Sequence, residues 1–347
     1  MKERTRLTDR ERKVLEAVIQ THIETAGPAG SQTVARRYPL GLSPASIRQT
    51  MSDLEARGLL YHPHASAGRI PTEAAYRIYV NDLTPPSPPT AAEQRALRQR
   101  LSGGVERSAI EEILHRAAQV LGVLTQELGV AATPTLEEIT LDRLDLVHIT
   151  SERLLLVFHL HSGALRTIFV QIPAHVAPPT VEHVARILNE RLAGLTLREI
   201  RGTLGERLRD ADSTGTGTEL LNIFIAESEE IFDLSGEREG VVLGNPELLA
   251  NQPEFASKER MRDLLSLTER RGVLKDALAS RPVDGLSITI GSENPDPRLA
   301  EFTLVTTSYR FGDLSGVIGV IGPTRMPYEK IISLVQHTSL LVEGLIE

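Results

Sequence analysis

Apolar residues recur at helical spacing from the start of the chain. Val14, Leu15, Val18, Ile19 and Ile23 share one face of a helix that Thr8 and Glu11 open as a capping box and Gly27-Pro28 closes. Ser31 begins a second, short helix through Arg37. A third is framed at both ends: Ser43 is a good N-cap, Pro44 suits the first helical position, and Gly58 ends it. At about 100° per residue Ile47, Met51 and Leu54 fall within about 60° of one another and form its buried stripe. Beyond Gly58, residues 59–62 read as a strand, 63–68 as a tip of turn and small residues, and Arg69-Ile70-Pro71 as the return. Three helices and a β-hairpin in this order make a winged helix-turn-helix over residues 1–83.

Four prolines in the five positions 85–89 cannot continue a helix, so 84–104 is read as a linker with one short helix, 91–100, stopped by Gly103-Gly104. A longer helix is expected over 105–128. Its Ile110, Leu114, Ala117, Leu121, Leu124 and Leu128 are spaced 4-3-4-3-4, which suits either packing on its own sheet or a subunit seam. Three strands follow at 139–149, 154–161 and 165–172, the last two separated by Ser162-Gly163. Helices are expected at 180–192, 197–208, 219–232 and 258–279. Strands are expected at 241–243, 286–290, 303–309 and 317–321, before a final helix over 326–345. Helices and antiparallel strands without internal repeats predict an α+β multidomain protein, and 347 residues fit about two to three domains.

The exposed face of the third helix changes this picture from fold to function. It carries Ala45, Gln49, Ser52 and Ala56, flanked by Ser46 and Arg48. A merely solvated helix face is normally rich in Lys and Glu. Short or hydrogen-bonding side chains instead suit a helix entering a major groove, where Gln and Arg pair with base edges. Arg48, Gln49 and Ser52 are therefore assigned to bases or their vicinity. Ser43, with His62, His64, Ser66, Gly68 and Arg69 of the hairpin, is assigned to the phosphate backbone or minor groove. Net charge is −8, but residues 1–83 carry +3 and the remainder −11, so the one mildly basic region is the one with the groove-suited helix.

Composition excludes several classes. With no cysteine there are no disulfides, thiolate metal sites or cysteine nucleophiles, and 7 Phe, 6 Tyr and no Trp make a stacking platform for single strands improbable. No apolar run approaches the roughly 18 residues of a bilayer span, and the start lacks a signal-like segment; the chain is expected to be soluble and cytoplasmic, with no membrane partner. His159 and His161 lie two apart on a strand near His148, and His62-Pro63-His64 sits in the hairpin; both read as ordinary histidines lacking the further ligands a metal needs. Gly322-Pro323-Thr324-Arg325 could receive an anion before the last helix, but reads better as a turn with Thr324 capping that helix. Residues 213–218 are a small-residue loop without the Gly-Lys-Ser/Thr of a phosphate loop, and Glu111-Glu112 and Glu229-Glu230 are adjacent on helices and point apart. No enzyme, cofactor or metal is expected.

Leu42-Ser43-Pro44-Ala45-Ser46-Ile47-Arg48, followed by Met51, Leu54-Glu55 and Gly58, resembles the family of heat-inducible transcription repressors called HrcA. So do His64-Ala65-Ser66-Ala67-Gly68-Arg69-Ile70-Pro71-Thr72 and Tyr76-Arg77-Ile78-Tyr79-Val80. Further similar strings are Leu188 through Thr196, Asn251-Gln252-Pro253-Glu254-Phe255, Ile290-Gly291-Ser292-Glu293-Asn294 and Ile318 through Met326. Ser46 stands where the family usually has Thr, Gln49-Thr50 where Asn-Glu is common, and Ala75 where Gly is usual; Gln still pairs bidentately with adenine. The resemblance implies a GAF-like domain, placed at 105–134 and 236–347, with a dimerising segment inserted at 135–235. It implies a homodimer on an inverted-repeat operator ahead of chaperone operons, inactivated by heat and kept active by the GroEL chaperonin. It adds Ala45, Ser46 and Arg77 to the DNA-binding residues. The rival readings are a GAF-type small-molecule sensor controlling DNA binding, and a protein-interaction module without DNA.

Overall fold

A computed structural model describes residues 7–64, 67–83, 88–102, 110–133, 139–161, 165–173, 176–209, 211, 215, 217–232, 240–269, 271–281, 285–311 and 314–346. Ser66, residues 84–87 of the proline run, Gly103-Gly104, Ser162-Gly163 and residues 213, 214 and 216 lie outside the described residues.

The fold is mixed α+β, and it begins with α1 (Asp9–Thr25), capped by Thr8, whose Oγ1 accepts from Glu11 N–H at 3.2 Å while Glu11 accepts from Thr8 N–H at 2.8 Å. The helix stops one residue before Gly27: Ala26 takes the left-handed conformation at φ 53° and donates to His22 O. Then follow α2 (Ser31–Arg37), with Gly30 rather than Ser31 as its N-cap, and α3 (Pro44–Ala56), where Ser43 Oγ accepts from Ser46 N–H at 3.1 Å. Gly58, at φ +73°, makes the turn that a side chain would strain. The hairpin β1 (Leu60–Tyr61) and β2 (Ile70–Pro71) pairs Leu60 with Pro71 and Tyr61 with Ile70. Ile47, Met51 and Leu54 are buried with Val14, Leu15, Val18 and Ile19, so helical periodicity located this core. The pattern did not reveal α4 (Glu73–Ile78), capped by Thr72 and running on as a π-turn through Tyr79–Leu83.

Next come α5 (Ala91–Ser102) and α6 (Ile110–Thr125), which ends three residues short of the helix expected over 105–128, then β3 (Leu128–Ala132), a strand the sequence pattern did not reveal. Gln126 at φ 62° reverses the chain, and Gly129 lets β3 lie directly on α6, because a Cβ there would sit 1.8 Å from Ala118 O. Leu114, Ala117, Leu121 and Leu128 are fully buried within this one protomer; the 4-3-4 stripe is core. The strands β4 (Leu141–Thr150), β5 (Arg153–Leu160) and β6 (Leu165–Gln171) form an antiparallel sheet of their own. They precede α7 (Pro178–Leu192), α8 (Leu197–Leu208), α9 (Thr218–Ala226) and α10 (Ser228–Phe232), the last two replacing the single helix expected over 219–232.

The chain ends with β7 (Val241–Leu243), α11 (Glu247–Ala250), α12 (Lys258–Glu269), α13 (Arg271–Ala279), β8 (Leu286–Ile290), β9 (Thr303–Phe311), β10 (Leu314–Gly322) and α14 (Tyr328–Ile346). A second sheet takes the order β7-β3-β10-β9-β8. Two compact units result. The first holds residues 1–132, 241–309 and 317–345; the second holds 133–240, 310–316 and 346–347. In the second, one sheet face packs Leu144, Leu154, Leu156, Phe158 and Val170 against Val184, Leu188, Leu204 and Phe224 of the helices. In the first, the α1–α4 module and the five-stranded sheet share one unit.

Candidate nucleic-acid interface

The third helix is held from behind. Arg10 of α1 donates to Thr50 Oγ1 and to Ser46 O, each at 2.8 Å, and Arg57 pairs with Glu11 at 2.6 Å. The Thr8 N–H and the Arg57 guanidinium, working against burial, keep the Glu11 carboxyl below its ordinary range, so the brace is ionised. With Ile47, Thr50, Met51 and Leu54 inward, the outward strip is Pro44, Ala45, Arg48, Gln49, Ser52, Asp53 and Ala56, all exposed; Ser46 is half-buried. Arg48 is exposed. Gln49 Nε2 donates to Asp53 Oδ1 at 3.0 Å, so the amide is pre-oriented along the strip. Asp53, one turn on from Gln49, is missing from the sequence-based selection although the spacing gives it away. Ser43 spends its hydroxyl on the cap, accepting from Ser46 N–H and lying 3.1 Å from Ser46 Oγ.

The hairpin departs from expectation in the role of its cation. Arg69 is only 13% exposed; its Nη2 lies 2.7 Å from Glu55 of α3, and its Nη1 donates to His62 Nδ1 at 2.9 Å. A guanidinium so held braces hairpin against helix. Gly68 likewise acts within the module: a Cβ would sit 2.5 Å from Ala29 O, where Ala29 and Arg69 exchange backbone hydrogen bonds of 2.8 and 2.9 Å and extend the hairpin by one bridge. His62 is half-buried and occupied, while His64 is exposed at the tip. Arg77 lies elsewhere. It is paired with Glu293 and donates to Ile288 O at 2.8 Å. The exposed Gln32 and Arg36 of α2 escaped sequence reasoning, the basic pair Arg36-Arg37 being the one available sign. Arg37 is taken by Glu24.

The remaining candidates resolve simply. His159 Nε2 lies 2.8 Å from Asp145, and His161 Nδ1 2.9 Å from Asp142; among the described residues no group of His, Asp and Glu could hold a metal. Thr324 does not cap the last helix, which starts at Tyr328, and Arg325 is bound to Glu254 instead of awaiting an anion. Among the described residues no helix is long and apolar enough to cross a membrane. What remains is a narrow convex strip of short side chains with the exposed Arg48 and the oriented amide of Gln49. Its helix is of a diameter, about 10–12 Å, that a major groove about 12 Å wide admits.

Residues 111–332 match the family model described as the HrcA protein C-terminal domain. Over 342 residues the chain is 38% identical to the heat-inducible transcription repressor HrcA of Chlorobium phaeobacteroides, spanning 95% of this chain and 96% of that one. It is 36% identical over 341 residues to the protein of the same name from Chlorobaculum tepidum, with 95% of each covered. A crystal structure of a hypothetical protein shares the fold at a TM-score of 0.58 and 21% identity, over 98% of this chain and 99% of that one.

Proposed function

The chain belongs to the HrcA family of heat-inducible transcription repressors, and from that premise we propose how this molecule represses. The α1–α4 module is a winged helix-turn-helix. Its α3 enters the major groove of double-stranded DNA, with Arg48 and Gln49 at base edges and Ser52 and Ala45 close to them. The start of α3 at Ser43 and Ser46, the exposed Arg36 of α2, and the tip residues His64 and Ser66 meet the phosphates. Arg69, Gly68 and His62 hold the wing in place, and Arg77 serves inside the protein. The observation that carries this reading is the exposed strip of α3.

A two-fold operator requires two modules. The second unit offers a surface for pairing: on the outer face of β4–β6, Val147, Ile149, Leu165 and Phe169 are between 44% and 61% exposed. The same face carries the His159–Asp145 pair, and Arg153 lies 4.5 Å over the Phe169 ring; exposed apolar side chains rimmed by polar ones are what a partner covers. The dimer binds an inverted repeat, the five-stranded sheet with its helices is the GAF-like domain, and heat inactivation with maintenance by the GroEL chaperonin follows the family. The test is a gel shift with the promoter DNA of this organism's own chaperone operon. Retardation of that duplex at concentrations leaving an unrelated duplex free is expected; equal affinity for both would contradict the proposal.

A further inference from the structure

Arg325 stands 302 positions beyond the last turn of α1, yet its Nη1 donates to Ile23 O at 2.7 Å. The last four carbonyls of a helix lack partners inside it, and a cation there also meets the negative end of the helix dipole. The basic side chain of α1's own last turn, His22, does not serve: burial and the neighbouring Arg325 push its imidazole down to about 4, and its Nδ1 lies 2.8 Å from Tyr76 Oη. The other arm of Arg325, which is 14% exposed, forks onto Glu254 and lies 3.4 Å from Gln252 Oε1. Gln252 in turn donates at 2.8 Å to the buried Glu127, and Gly322 leaves room for that carboxylate, since a Cβ there would sit 2.3 Å from Glu127 Oε2.

A second tie runs parallel. Arg77 reaches Glu293 and Ile288 O, and Glu73 accepts from Ser292 N–H at 3.2 Å. Between the ties the buried rings of Tyr76 and Tyr79 lie 5.9 and 6.4 Å from that of Tyr328. The sequence strings around 76–80, 251–255, 290–294 and 322–326 thus converge on one seam, between the DNA-facing module and the sheet of the same unit. Since Arg10 and Arg57 fasten α1 to α3, whatever fixes α1 fixes the recognition helix.

We propose that Arg325 is a positioning residue for operator binding: by capping α1 from the sheet side, with Arg77 as the second tie, it sets the angle at which each protomer presents α3. This rests on the DNA-binding dimer proposed above. Two recognition helices must meet half-sites one helical turn apart or a multiple of it, and a module held in place loses less freedom on binding than one that swings.

The experiment uses two probes: an inverted-repeat duplex enriched from a random-sequence pool by the full-length wild-type chain, and a duplex carrying one arm of it. Arg325→Gln is expected to weaken binding to the full duplex about tenfold or more, while affinity for the single arm stays within about threefold, because linked binding is lost before contact chemistry is. Arg325→Lys, which reaches Ile23 O but cannot fork onto Glu254 as well, should fall between. Equal weakening on both duplexes would show a folding role only. Unchanged or tighter binding to the full duplex would show that the seam does not position the module, and either result overturns the inference. Should Arg325→Gln not fold, Glu254→Gln, which frees one arm and keeps the cap, is read by the same criteria. A wild-type chain that enriches no inverted repeat would instead overturn the DNA-binding reading itself, and this inference with it.

Discussion

Gln49 and Arg69 illustrate how a side chain's neighbours decide its role. Both can bond a nucleic acid, but Gln49 lies on an exposed face, where Asp53 orients it without enclosing it. Arg69 is nearly enclosed between Glu55 and His62. Gln49→Ala is therefore expected to lower discrimination at one base position of each half-site by about 1–3 kcal/mol, with little loss on non-specific DNA. Binding of a panel of single-position operator variants measures this, and an unchanged preference at every position would remove Gln49 from the bases. The exposed strip was legible because helical periodicity assigns faces without knowledge of tertiary partners. The partners of Arg69 and Arg77 were hidden for the converse reason: their carboxylates, Glu55 and Glu293, lie 14 and 216 positions away, and only folding brings them close.

At the scale of elements, capping chemistry and alternation located most boundaries. Ser43-Pro44 and Thr8 with Glu11 start helices where they should, and the aliphatic runs of β4–β6 stand within a few residues of expectation. Failures came where tertiary packing outweighs local pattern: β3 was not read from the sequence, and its Gly129 admits close contact with Ala118 that only the fold reveals. The seam at the end of α1 adds a pH dependence. His22 is held neutral down to about 4, whereas an unfolded histidine titrates near 6.5. Its burial thus leaves stability intact above pH 6.5. As pH falls from 6.5 to 4 the unfolded chain takes up a proton that the folded one refuses, and stability drops. The loss is on the order of 2 kcal/mol for a half-buried ring. Thermal midpoints of the wild type should therefore fall relative to His22→Gln between pH 6.5 and 4, and parallel curves would contradict this.

At the scale of the whole molecule, residues 1–83 carry +3 and the remainder −11, so attraction to phosphate is confined to one end of the sequence. In its second unit the sheet buries one face under its own helices and leaves Val147, Leu165 and Phe169 on the other. Phe169→Asp is expected to shift the protein from dimer toward monomer in sedimentation velocity, while the fold of the protomer persists. A dimer of unaltered stability would place the interface elsewhere. That face was hidden in the sequence, since alternation shows that a strand has two sides but not that the second leaves large apolar side chains exposed. Operator affinity should fall as dimerisation is lost, two linked modules binding far more tightly than either alone.

The central claim, that α3 reads duplex DNA as one of a symmetric pair, is tested most directly by hydroxyl-radical footprinting on the promoter of this organism's chaperone operon. The account predicts two protected patches, related by two-fold symmetry and separated by about one helical turn or a multiple of it, that vanish together with Arg48→Ala and Gln49→Ala combined. Protection that is single, unsymmetrical or indifferent to those substitutions would contradict it.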